Sequence, residues 1–308
     1  MESPIDLFPR GKPRGMLQIS HLQSFQKASR SLMNIDCLRG MLYDGWIQKE
    51  QKMKVTVCEL GNDPEGFSLD WKRLAAHVKK AQSELVLLPE MPFYPWFAWS
   101  PEYDPATWQA AVQAHQDAES LLRELSPAIV CGSRPVNRKG KRHNEAFVWN
   151  GPQSFQPAHT KYYLPNEEGY WEASWYERGD KDFSPLQVGD AFLGFVICTD
   201  LWFFEHSRSY GKKGVHLIAC PRATPKSTLD KWLAGGQAAA VVSGAFLLSS
   251  NRISREEEPA DLGGQGWIVG PNGKILGTTS PEMPFLTLDL DLRRATEAKH
   301  TYPRYVSD

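Results

Sequence analysis

Two observations predict that this 308-residue chain folds as a layered α/β sandwich with mixed sheets. Strand patterns and helix patterns alternate from Met53 onward, and hairpin signals interrupt the alternation in both halves.

Lys54-Val55-Thr56-Val57-Cys58 is rich in β-formers, and Leu69 to Ala81 repeats apolar residues at helical spacing. Ser83 to Glu90 is a short buried strand ended by proline. Asp104 to Leu125 is an Ala- and Gln-rich helix that stops before Pro127. Ala128 to Gly132 is the next strand. Glu145 to Trp149, the turn Asn150-Gly151-Pro152 and the segment from Ser154 to Lys161 then read as an antiparallel pair. In the second half, the strands Ala191 to Cys198 and Gly214 to Cys220 flank a helix at Trp202 to Gly211. A helix from Ser227 to Ser243 leads into the strand Ala245 to Ser249. Gly266 to Gly270 and Lys274 to Gly277 form a hairpin about Pro271-Asn272-Gly273, and Phe285 to Leu290 is the last strand.

Residues 1–52 lack this rhythm and are read as an N-terminal extension, either poorly ordered or an upstream start preceding Met53. Residues 53–308 then form one domain. Pro4, Pro9 and Pro13 break up any apolar signal core, and Glu2, Asp6, Asp36, Asp44 and Glu50 argue against an acid-poor transit peptide.

The composition, 41% hydrophobic and 23% charged, is that of an ordinary globular protein. A net charge of -1 gives no electrostatic case for a nucleic-acid or anionic-membrane partner, so a small molecule fits better. No run approaches the roughly 20 apolar residues that span a bilayer. Five scattered cysteines without a C-x-x-C pair suggest reduced thiols in a cytoplasmic protein and no zinc site.

Cys198 closes the apolar run Gly194-Phe195-Val196-Ile197 and precedes Thr199-Asp200-Leu201-Trp202-Phe203-Phe204-Glu205. A strand-to-helix elbow presents its first side chain and leaves backbone N–H groups free for an oxyanion. A cysteine taken alone is more often a small buried hydrophobe. Glu90, however, follows an apolar strand between Pro89 and Pro92, a rigid setting suited to a general base. Lys161 lies in His159-Thr160-Lys161-Tyr162-Tyr163-Leu164-Pro165, at the end of a β-like segment.

Leu-Pro-Glu, then Lys before Leu-Pro, then Gly-Phe-Val-Ile-Cys-Thr-Asp-Leu-Trp resemble, in this order and at these separations, the nitrilase superfamily of carbon-nitrogen hydrolases. The resemblance covers Met53 to about Leu292. It implies a Glu90, Lys161 and Cys198 triad acting as general base, cation and nucleophile. It also implies a second glutamate in Gly169 to Asp180, where Glu172 takes the matching place; Glu167 and Glu168 are read as loop charges. The implied fold is a four-layer αββα sandwich with two mixed sheets, whose subunits pair through helices into an αββααββα homodimer or a higher homo-oligomer. The C-terminal segment Ala298 to Tyr305 is a candidate for packing across that interface. No metal or organic cofactor is implied.

Relatives that hydrolyse nitriles usually carry Trp-Glu after the cysteine, whereas this chain has Thr199-Asp200. An amide is therefore the expected substrate, with a nitrile or an N-carbamoyl amide as alternatives. Aromatic residues crowd the motifs, so Tyr94, Trp171 and Trp202 are expected to line the pocket. Thr199 is expected to contribute an oxyanion N–H, and Arg222 to meet a substrate carboxylate. A non-catalytic interaction scaffold would be expected to lack a triad residue, and none is lost. The absence of Gly-x-Ser-x-Gly disfavours a serine hydrolase.

Overall fold

The computed structural model describes residues 51–151, 153–255 and 258–306. The reading of residues 1–50 as an extension lies outside the described residues. Lys52 already pairs with Asp291, so the first strand begins just inside the expected boundary.

The first half comprises β1 (Lys52–Gly61), α1 (Pro64–Ala81), β2 (Leu85–Leu87), α2 (Pro105–Asp117), α3 (Glu119–Arg123), β3 (Ile129–Arg138), β4 (Lys141–Asn150), β5 (Gln153–Thr160) and α4 (Glu172–Trp175). The second comprises β6 (Leu186–Val188), β7 (Ala191–Phe195), a 3₁₀ helix (Cys198–Trp202), α5 (Phe204–Lys212), β8 (Leu217–Arg222), α6 (Leu229–Ser243) and β9 (Phe246–Ile253). The hairpin of β10 (Trp267–Val269) and β11 (Ile275–Thr278), then β12 (Phe285–Asp291) and α7 (Arg293–Ala298), complete the described chain.

Local chemistry explains where the helices differ from expectation. Helix α1 starts at Pro64, ahead of Leu69, because the Asp63 carboxylate accepts the Gly66 N–H at 2.7 Å and Pro64 needs no N–H partner. Its first turn, Pro64-Glu65-Gly66-Phe67, is too short to show an apolar period. Asp104 caps α2 in the same way, accepting from the Ala106 and Thr107 N–H groups. The expected single helix from Asp104 to Leu125 divides at Ala118, whose ψ of -5° opens the turn between α2 and α3.

One mixed sheet runs β5-β4-β3-β2-β1-β12 and the other β6-β7-β8-β9-β10-β11. They join where Glu59–Gly61 of β1 pairs in parallel with Asn251–Ile253 of β9. Val55, Val57, Leu85 and Leu87 face Leu193, Phe195, Leu217 and Leu248 between the sheets. The opposite face of the first sheet, through Leu60, Val86 and Val130, buries Trp71, Leu74 and Val78 of α1 and Leu122 of α3. Helices α5 and α6 cover the second sheet, which completes the αββα sandwich. Each large side chain fully buried this way stabilises the fold by about 1.5–3 kcal/mol.

Strands β2 and β7 are parallel to their central neighbours, and the loops leaving their C-terminal ends carry Glu90 and Cys198. The crevice beyond the carboxyl ends of parallel strands is where α/β folds gather ligands. Among the described residues, no helix is long and apolar enough to cross a membrane.

Candidate active site

Strand β2 stops at Leu87, and the chain continues through Leu88, whose N–H bonds the Cys131 carbonyl at 2.7 Å. Glu90 is anchored by its own N–H to the Arg222 carbonyl at 3.2 Å. The loop beyond it is held by the buried Arg252, whose guanidinium donates to the carbonyls of Met91 at 2.9 Å and Tyr94 at 2.7 Å. Lys161 extends the β5 edge, its N–H reaching the Asn144 carbonyl at 2.9 Å. The loop that follows leads to Glu172 at the start of α4.

These elements bring three charged side chains together with no solvent exposure. Lys161 Nζ lies 2.8 Å from Glu90 Oε1 and 2.5 Å from Glu172 Oε2. Asn144 Nδ2 donates to Glu90 Oε1 at 2.7 Å, and the Tyr176 hydroxyl donates to Glu172 Oε2. Glu90 Oε2 and Glu172 Oε1 are buried and have no hydrogen-bond partner. A buried acceptor left open in this way can take a proton or a polar substrate group.

Cys198 opens the 3₁₀ helix with φ at +47°, a left-handed conformation that is rare for a side chain with a Cβ. It does not end β7, which closes at Phe195; Val196 and Ile197 carry the chain out of the sheet. The turn is fixed by Asp200. Its Oδ2 accepts the Ile197 N–H at 3.2 Å and faces His159 Nε2 at 2.9 Å, while Oδ1 accepts the Tyr162 and Tyr163 N–H groups at 3.3 and 3.0 Å. One carboxylate thus ties the cysteine turn to the segment carrying Lys161.

The electrostatics follow from burial and sign. Burial pushes the Cys198 thiol well above its ordinary range; the Glu90 charge adds to this and Lys161 opposes it. The resting sulfur is therefore a thiol rather than a standing thiolate. Burial also raises the Glu172 carboxyl, to about 7, with Lys161 as the main opposing influence and Glu90 reinforcing the rise. For Lys161, burial favours proton loss but the carboxylates of Glu172 and Glu90 outweigh it, so the ammonium is held well above its ordinary range.

Beside this cluster lies a cavity of about 200 Å³ whose walls include Cys198, Glu172, Thr199, Trp202 and Tyr170. That is smaller than the roughly 300–1,000 Å³ of pockets for drug-sized ligands, and suits a short acyl group. Trp202 leans on Trp232 at 5.1 Å between ring centroids. It packs over Gly235 of α6, where a Cβ would lie 2.9 Å from its ring. Among the described residues, no group of three or more His, Cys, Asp or Glu side chains is placed to hold a metal ion.

Glu90, Lys161, Glu172 and Cys198 are therefore gathered in one place, and Thr199 and Trp202 line the adjoining cavity. Tyr94, Trp171 and Arg222 do not line it. Arg222 is fully buried, with Nε on Ser249 Oγ at 2.6 Å, Nη1 on Thr224 Oγ1 at 2.8 Å and Nη2 on the Gln265 carbonyl at 2.7 Å. Its guanidinium braces the ends of β8 and β9. Tyr94 uses its carbonyl to hold Arg252, and the Trp171 N–H bonds the Ala98 carbonyl at 2.7 Å. Most of the aromatic residues near the motifs pack on one another behind Glu172: Phe97 meets Trp175 at 4.8 Å and Trp108 at 5.8 Å.

Sequence reasoning missed Asp200 as a positioning group, and missed Glu167, Tyr170, Lys231 and Trp232 as cavity residues. The signal for Asp200 was its place two residues after a nucleophile candidate, where a short acceptor side chain can cap a turn. The signal for Lys231 and Trp232 was the start of a helix just beyond the parallel strand β8.

The carbon-nitrogen hydrolase family model matches residues 54–300. Omega-amidase NIT2 of Mus musculus is 24% identical over 237 residues, which cover 75% of this chain and 84% of that protein. N-carbamoylputrescine amidase of Solanum tuberosum is 26% identical over 206 residues, covering 61% of this chain and 67% of that protein. The crystal structure of a carbon-nitrogen hydrolase from Helicobacter pylori G27 superposes with a TM-score of 0.72 at 21% identity, covering 83% of this chain and 94% of the other, and shows the same fold.

Proposed function

The chain belongs to the carbon-nitrogen hydrolase family, and from that premise we propose that it is an amidase working through a Cys198 thioester. The observation that carries the proposal is the Lys161 ammonium held between Glu90 and Glu172 beside the Cys198 cavity. Because the resting sulfur is a thiol, the reaction needs a base. Glu90 takes the thiol proton as the sulfur attacks the amide carbonyl carbon. The oxyanion is met by the Lys161 ammonium and the Thr199 N–H.

Glu90 then gives its proton to the departing nitrogen, and ammonia or an amine leaves a thioester behind. A water loses a proton to Glu90 and adds to the thioester. Collapse of that adduct frees the acid, and the proton returns to sulfur. Glu172 keeps Lys161 charged and in place. The Thr199-Asp200 pair and the names of the amidase relatives support an amide over a nitrile.

The test is ammonia release from matched amides and nitriles, comparing the natural chain with Cys198→Ala. Loss of amide turnover in the variant is expected. Persistent turnover would overturn the nucleophile assignment, and release from nitriles alone would overturn the amide assignment. The same reading includes pairing of identical chains through the exposed Tyr302 and Tyr305. A monomeric mass in solution would reject that pairing.

A further inference from the structure

We propose that the amide taken by this site carries both a carboxylate and an ammonium on its acyl side, as a free amino acid with a side-chain amide does. The proposal rests on the amidase reading above. Glu167 and Lys231 line the same cavity as Cys198. Glu167 stands in the loop before α4, where its backbone and that of Tyr170 exchange hydrogen bonds, and Lys231 stands in the first turn of α6. Among the described residues, neither side chain makes an ion pair or a hydrogen bond, and they do not pair with each other.

The arrangement selects by sign. A singly charged acyl chain is drawn to one of these residues and repelled by the other, so the two influences offset each other. A neutral chain gains from neither. A chain bearing both signs gains from both.

Burial orients it. Cys198 is only 3% exposed, whereas Glu167 and Lys231 are exposed, so the amide enters first and the charged end stays at the wet mouth. There the carboxylate and ammonium keep part of their hydration, which limits the cost of binding them. The Trp202 and Trp232 rings provide an apolar wall for the short hydrocarbon stretch between the two ends. The small cavity matches such a chain.

The experiment measures kcat/KM for ammonia release by the full chain from L-glutamine, glutaramic acid, 4-aminobutanamide and butanamide. These four share an amide end and carry both charges, the carboxylate, the ammonium and neither. L-glutamine is expected to be preferred. In Glu167→Gln the ratio of L-glutamine to glutaramic acid should fall about tenfold, and in Lys231→Met the ratio of L-glutamine to 4-aminobutanamide should fall about tenfold. Either ratio holding within about twofold would overturn the proposal, as would a natural preference for a singly charged amide. If butanamide turnover depends on Cys198 while the ratios hold, the charge assignment fails and the amidase reading stands. Ammonia from none of the four overturns both.

Discussion

The Asp200 carboxylate meets the His159 imidazole at 2.9 Å and, through its remaining contacts, fastens the turn of Cys198 to the strand end that carries Lys161. Cys198 and Lys161 come from different sheets, so their separation depends on this bridge. In Asp200→Asn one oxygen is retained, but the other becomes an N–H₂ donor facing the Ile197 N–H. The variant should lose about 1–3 kcal/mol in urea unfolding and lose kcat more than it raises KM. A variant with natural stability and natural kcat would show that the bridge is incidental.

Glu90→Gln keeps an acceptor for Lys161 and Asn144 but cannot hold a proton in transit. Turnover should fall by about 10²–10⁴-fold with little change in melting temperature. Amide turnover at the natural rate would exclude Glu90 as the proton carrier.

Lys161→Met leaves two buried carboxylates facing one another without their cation. Removing one partner of a buried pair typically costs about 3–5 kcal/mol, so this variant should unfold at markedly lower denaturant than Glu90→Gln. Equal midpoints for the two would argue that the cluster is hydrated rather than dry.

The raised carboxyl of Glu172 gives a pH signature. Its folded value of about 7 exceeds its ordinary value of 4.5, so the folded chain holds this proton more tightly than the unfolded one. The stability it contributes is present below pH 4.5 and is lost as pH rises through about 7. Chemical unfolding between those limits should therefore show natural stability falling with pH more steeply than in Glu172→Gln. Parallel profiles would contradict the shift.

Gly235→Ala would place a methyl group against the Trp202 ring. A shift of the ring into the cavity is the expected response, so KM should rise for every amide while stability falls by about 1–3 kcal/mol. Unchanged KM would mean that Trp202 moves away from the substrate.

The elements most visible in the sequence were those with a strong period or a strong punctuation mark. The β-rich run after Met53 and the Pro-Asn-Gly hairpin near Trp267 appear in the structure within a few residues of expectation. Four-residue α4 and three-residue β6 were not legible, since neither spans enough residues to show a period. Helix α4 is instead held by tertiary contacts: Trp175 packs on Phe97, and its Nε1–H reaches the Ser100 carbonyl at 2.7 Å.

By itself the sequence determined the order of the candidates Glu90, Lys161 and Cys198, because each stands beside a strand end or a proline that leaves a local mark, whereas Glu172 was singled out only by the family resemblance. Only the tertiary structure decided which neighbours face the cavity. Arg222 and Tyr94 sit close in sequence to strand ends yet turn to brace loops, whereas Glu167, Tyr170, Lys231 and Trp232 converge from two distant segments. The reason is geometric: the direction of a side chain leaving a loop is set by the hydrogen bonds of that loop with distant strands, and no local pattern records those partners.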